Sequence, residues 1–122
     1  MMPAPRYHRE LLALPFFEGV HRSIADQALA WAAALDSSHD ESPAAVDARC
    51  RALVARLGEA GLTRYCVRQE FGGALPDFDA RAICLIRETL AYHDGLADFA
   101  FAMQGLGSGA ISLAGSGALQ RR

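Results

Sequence analysis

Charge of either sign is never concentrated in this sequence: 12 basic and 14 acidic residues are scattered over 122 positions, for a net charge of −2 and no long run of one sign. A field that weak does not gather phosphate backbones or anionic lipid, which argues against nucleic acid and membrane-surface partners. Cysteine is scarce and odd in number. Cys50, Cys66 and Cys84 show no C-x-x-C spacing, and two of them fall in apolar helical patterns where a thiol behaves as a small hydrophobe. This excludes a disulfide framework and predicts buried free thiols in a reducing, cytoplasmic compartment. No apolar h-region precedes Glu10 and no small-residue cleavage pattern follows the short apolar run at 11–17, so no export signal is read.

Chemistry-bearing patterns are missing as well. His8, His21, His39 and His93 form no i, i+4 pair, and His39 beside Asp36, Asp40 and Glu41 reads as a solvated acidic loop, so no metal site is expected. Ser108 lacks the flanking G-x-S-x-G arrangement of a strained nucleophile turn, and no strand leads into "GLGSG" to make it a phosphate loop. No catalytic residue is assigned. Internal repeats and any strand-and-turn series are also lacking, which leaves an all-α domain.

What is there is helical periodicity. Phe17, Val20, Ile24, Ala28, Trp31 and Leu35 recur at steps of three and four and predict one amphipathic helix. Ser42-Pro43 supplies an N-cap and a first-turn residue for a second, with Val46, Cys50, Leu53, Val54 and Leu57 inward and an end near Ala60, before the left-handed Gly61. Residues 62–76 read as an ordered loop broken by Gly72-Gly73 and Pro76. Asp77 or Asp79 then caps a third helix through Ala82, Ile83, Ile86 and Leu90, with Leu85 and Ala91 widening its apolar stripe until Asp94-Gly95.

The stretch "DGLADFAFAMQGLGSGAISLAGSGALQRR" is the least ordinary. It is long enough to span a bilayer, yet Ala, Gly and Ser dominate it. An interior Asp98 costs about 2.5–3.5 kcal/mol on insertion scales, more than several Leu or Phe residues offset at about 0.3–0.6 kcal/mol each. A soluble, packed segment is expected instead. Gly105, Gly107 and Gly109, each costing about 1 kcal/mol relative to Ala in a helix, predict two shorter helices near residues 96–104 and 108–114. Their lack of side chains permits close backbone approach by a helix or a ligand. Ser116 is expected to cap one more helix beginning at Gly117. Asp98, Phe99, Ala102, Met103 and Leu106 share one helical face, and an acid on an otherwise apolar face requires a partner or a wet cavity.

Three segments in order, "LGEAGLTRYCVRQEFGG", "ICLIRETLAYHDGLAD" and "GLGSGAISLAGSGALQRR", resemble the N-terminal helical domain of the acyl-CoA dehydrogenase family over residues 14–122, with 1–13 as an extension. Glu70, Phe71, Gly72 and Gly73 match the family's turn and Glu88 its acidic helix position, whereas Arg68 stands where the family often has Pro. The resemblance implies an orthogonal bundle of about five to six helices and an FAD-dependent α,β-dehydrogenation of an acyl-CoA thioester. In it, Asp98, Phe99, Ala102, Met103 and Leu106 form one wall of the acyl pocket. It further implies that the middle β-domain and C-terminal helical bundle, which supply most flavin contacts and the catalytic base, lie outside these residues. On that basis the chain alone is expected to hold no FAD and to be inactive. The complete enzyme is expected to be a homo-oligomer, dimer or tetramer, that passes electrons to an electron-transferring flavoprotein. The competing reading is a stand-alone helical interaction module without catalysis.

Overall fold

The computed structural model describes residues 6–36 and 40–122, with side chains from Arg9 onward; His39 and the side chain of His8 lie outside the described residues. Six α-helices and no strand occur among the described residues. They are α1 Arg6–Leu12, α2 Gly19–Ala33, α3 Pro43–Glu59, α4 Ala80–His93, α5 Gly95–Ala114 and α6 Gly117–Gln120. Two 3-10 turns, Leu62–Cys66 and Gln69–Phe71, connect α3 to α4.

The ends of these helices have local causes. Helix α3 starts at Pro43, but the Ser42 hydroxyl does not cap it. Instead the Ser42 backbone N–H donates to the Asp40 carboxylate at 2.9 Å, and this hydrogen bond holds the Asp40 carboxyl below its ordinary range. Beyond α3, Gly61 takes the left-handed conformation at φ 77° that glycine reaches without steric cost, and Leu62 next to it is fully buried. Of the two candidate caps for α4, Asp79 is the one used: its carboxylate accepts from Arg81 N and Ala82 N. Asp94 ends α4 by donating its N–H to Leu90 O and begins α5 by accepting from Leu96 N and Ala97 N, with Arg49 paired to the same carboxylate. One residue therefore sets the corner between two packed helices. Ser116 caps α6 through Leu119 N.

The core gathers Ile24, Ala28 and Ala32 of α2, Leu53 and Leu57 of α3, Ala82, Ile86 and Leu90 of α4, and Ala97, Ala100 and Phe101 of α5 around Leu62 and Cys66. Helix α4 packs against both α2 and α5, and α3 leans on α5. The wide stripe expected for α4 is explained by a second, smaller cluster in which Leu85 meets Leu12 and Ala25. Ala91 does not take part, being exposed. A polar lattice adds specificity beside the apolar core. Tyr65 Oη donates to Gln27 Oε1 and Gln27 Nε2 donates to Ala60 O, both at 2.9 Å, which pins the first 3-10 turn to α2.

Three further expectations need correction. Residues 95–114 form one uninterrupted helix rather than two. The three glycines are tolerated because tertiary packing holds the segment: Cys66 Sγ lies 3.6 Å from where a Gly105 Cβ would stand, and Ser108 Oγ donates between Gln104 O at 2.9 Å and Cys66 O at 3.2 Å. Cys84 is exposed, since it lies on α4 away from both clusters, whereas Cys66 is buried and Cys50 half-buried. Val20 is exposed although it fits the α2 periodicity. Within the N-terminal extension, Arg6–Leu12 is helical and Leu12 joins the second cluster.

Candidate functional site

Helix α5 has two apolar faces, and only one of them is used by the core. Ala97, Ala100 and Phe101 point inward. On the opposite side Phe99, Met103 and Leu106 are 53%, 41% and 67% exposed, and further along the helix Leu113 is 90% exposed. Ala102, half-buried, is the smallest side chain on that outward face. Large apolar groups in a row on a packed, well-formed helix mark a surface that contacts something else. Four of the five residues named from sequence spacing thus stand together on the outside of α5.

The fifth, Asp98, is partnered. Arg87 of α4 donates Nε to Asp98 Oδ1 and Nη2 to Oδ2, each at 2.9 Å, a planar two-point pair. The hydrogen bonds and the negative charge of Asp98 raise the Arg87 guanidinium further above its usual range. The carboxylate is largely covered, with 16% of its side chain exposed, while Arg87 is half-exposed. The requirement that an acid on an apolar face have a partner is met from the neighbouring helix.

Beside this face lies a cleft of about 470 Å³ between the C-terminal half of α5 and the loop that follows the first 3-10 turn. Gly105, Gly109, Ser112 and Leu113 line it from the helix, and Cys66, Arg68, Asp77 and Phe78 from the loop. Burial pushes the Cys66 thiol up to about 11, so it stays protonated at neutral pH and is a lining group rather than a nucleophile. Arg68 turns toward its own loop, 3.1 Å from Glu70 and over the Phe71 ring. None of the five spacing-derived residues lines this cleft. Its helical half was legible as glycines permitting close approach, but Arg68, Asp77 and Phe78 arrive there through turn geometry that no periodicity encodes.

A second polar cluster joins the starts of α2 and α4. His21, fully buried, accepts from Glu18 N at Nδ1 and therefore donates from Nε2 to Asp79 at 2.8 Å. Arg81 joins the same carboxylate to Glu18 and to Phe16 O, tying the start of α2 to the start of α4. Partial burial raises the Asp79 carboxyl, but hydrogen bonds from His21, from the Arg81 side chain and from two backbone N–H groups outweigh it and hold the group at about 2. No group of three metal-ligating side chains occurs among the described residues. No helix among them is long and apolar enough to cross a membrane.

The described residues form a helical module with an exposed apolar row on α5 and a cleft at its side. The family model described as acyl-CoA dehydrogenase, N-terminal domain, matches residues 16–122. The chain belongs to that family. Comparison with curated proteins found no match. As an acyl-CoA dehydrogenase N-terminal domain, the chain carries the segments that suggested the resemblance at defined places. The turn containing Glu70 and Gly72-Gly73 is the second 3-10 turn and its exit, Glu88 lies on α4, and the Gly-rich segment runs from the second half of α5 through α6. Arg68, where the family often has Pro, has φ −72° and ψ 154°, so the turn keeps an extended entry that a proline would also adopt.

Proposed function

We propose that the outward face of α5, Phe99, Ala102, Met103 and Leu106 with Asp98 at its edge, is one wall of the pocket that holds the acyl chain of an acyl-CoA thioester. The reaction is α,β-dehydrogenation: a proton leaves Cα to a base, hydrogen leaves Cβ with its bonding electrons, and the remaining pair forms the double bond. FAD, when bound, supplies the acceptor for the electrons leaving Cβ. The observation that carries this reading is the row of exposed Phe99, Met103 and Leu106 on a helix whose other face is core, in a chain of the acyl-CoA dehydrogenase family.

Neither the glycine segment nor the starts of α4 and α5 suit the flavin's phosphates. The glycines at 105, 107 and 109 lie inside a continuous helix, where backbone N–H groups are already bonded and cannot cradle a pyrophosphate. The first-turn N–H groups of α4 and α5 face the carboxylates of Asp79 and Asp94, which repel an anion. Flavin and base then come from other parts of the enzyme, the wall from here. Homo-oligomerisation and electron transfer to a flavoprotein acceptor belong to the same reading.

Ala102 is where added volume would subtract most directly from the pocket. Ala102→Phe is expected to shift preference toward shorter acyl groups and Met103→Ala to relax the limit. Each methylene accommodated or excluded is worth about 1–3 kcal/mol, roughly 10- to 200-fold in relative kcat/KM. The measurement is kcat/KM over a homologous acyl-CoA series for the complete enzyme. Parallel losses at every chain length would make the face structural and sink the proposal.

A further inference from the structure

The wall of α5 is apolar along Phe99, Met103 and Leu106 and changes character at one end, where Asp98 and Arg87 stand paired across α5 and α4. Arg87 uses Nε and Nη2 on Asp98, which leaves Nη1 outside that pair. We infer that the Arg87–Asp98 pair reads the end of the acyl group that lies against the first turns of α5 and favours an acyl chain bearing a neutral oxygen there, a hydroxyl or a carbonyl, over a plain alkyl end. This rests on the proposal that the α5 face is the acyl wall.

The reasoning is one of desolvation. An alkyl end seated on this pair strips water from a half-exposed guanidinium and returns no hydrogen bond, which leaves a charged donor unsatisfied. A hydroxyl or carbonyl oxygen accepts from Nη1 and restores what the water gave. A carboxylate also accepts, but it meets the negative charge of Asp98, whose two oxygens already neutralise Arg87. The pair as a whole is neutral, so it selects a polar group rather than an ion. In this account Arg87 is a specificity-determining residue that spacing along α5 could not reveal, because it comes from another helix.

The test uses acyl-CoA thioesters of one chain length ending in methyl, hydroxyl or carboxylate. Their binding to the complete protein is measured by calorimetry, and their turnover as kcat/KM. The hydroxyl-terminated thioester is expected to bind and turn over better than the methyl-terminated one by roughly 10- to 100-fold, the worth of a hydrogen bond to a charged group. The carboxylate-terminated one should fall below the hydroxyl. In the double variant Arg87→Met with Asp98→Leu, and in the milder Arg87→Gln with Asp98→Asn, the preference for hydroxyl should fall by at least tenfold. Because each value is a ratio within one preparation, partial misfolding cancels. Equal binding of the hydroxyl and methyl forms, a preference that survives in both double variants, or preference for the carboxylate would overturn this inference and leave the acyl wall standing. Failure of every thioester to bind would overturn both.

Discussion

The turn that carries Gly72-Gly73 allows a demanding test, because adjacent glycines there have opposite reasons to be glycine. A Cβ at Gly73 would stand 1.7 Å from Val67 O, 2.5 Å from Val67 C and 2.7 Å from Arg68 C. All three are backbone atoms, so no side-chain rotation relieves the overlap and the turn must open. Opening endangers Gly73 N–H to Arg68 O at 3.0 Å, Ala74 N–H to Arg64 O at 2.9 Å and Gln69 N–H to Leu75 O at 2.9 Å. At about 0.5–1.5 kcal/mol for each net hydrogen bond, with strain added, Gly73→Ala is expected to cost about 3 kcal/mol or more. Gly72 sits at φ 92° with nothing within 4 Å of its would-be Cβ, so Gly72→Ala meets backbone strain alone, about 1–2 kcal/mol. Gly109 has ordinary helical surroundings and open space, so Gly109→Ala is expected to stabilise by up to about 1 kcal/mol. Urea unfolding followed by circular dichroism gives all three values on one scale. A Gly73→Ala protein within 1 kcal/mol of the parent, or one no worse than Gly72→Ala, would refute the description of this turn.

Two further outcomes follow from the core and the His21 network. Phe101 is fully buried in the main cluster, so Phe101→Ala should lose about 3–5 kcal/mol in the same unfolding assay; a loss under about 1 kcal/mol would mean that α5 is not held as described. Asp79 has its folded value depressed from 3.8 to about 2, so its contribution, about 2 kcal/mol, is present in full above 3.8 and lost as pH falls through about 2. The stability difference between the parent and Asp79→Asn should therefore narrow by about that amount between pH 6 and pH 2, and a difference constant over that range would contradict the network.

Much of this fold could be read from residue spacing because local chemistry and packing agree in α2, α3 and α4. Ile24 and Ala28, Leu53 and Leu57, and Ile86 and Leu90 sit inward as their periodicity requires. Residues whose structure depends on distant partners were not legible. The glycines of α5 argue locally for a break, and the contacts of Gly105 and Ser108 with Cys66, some forty residues earlier, reverse that preference. Periodicity marks Val20 and Ala91 as inward, but nothing in a single helix says whether a neighbour arrives to cover them. At the site, the outward row from Phe99 to Leu106 was visible as one face. Arg87 and the loop half of the cleft were not, because they reach α5 only through tertiary structure.

The central claim, that the outward face of α5 touches the acyl chain, is tested most directly by photolabelling. An acyl-CoA with a diazirine in its alkyl chain is bound to the complete enzyme, irradiated, and the attachment sites are mapped by mass spectrometry with and without excess unmodified acyl-CoA. Label is expected on Phe99, Ala102, Met103 or Leu106, and the unmodified thioester should compete it away. Competable label confined to other segments, with none on α5, would contradict it.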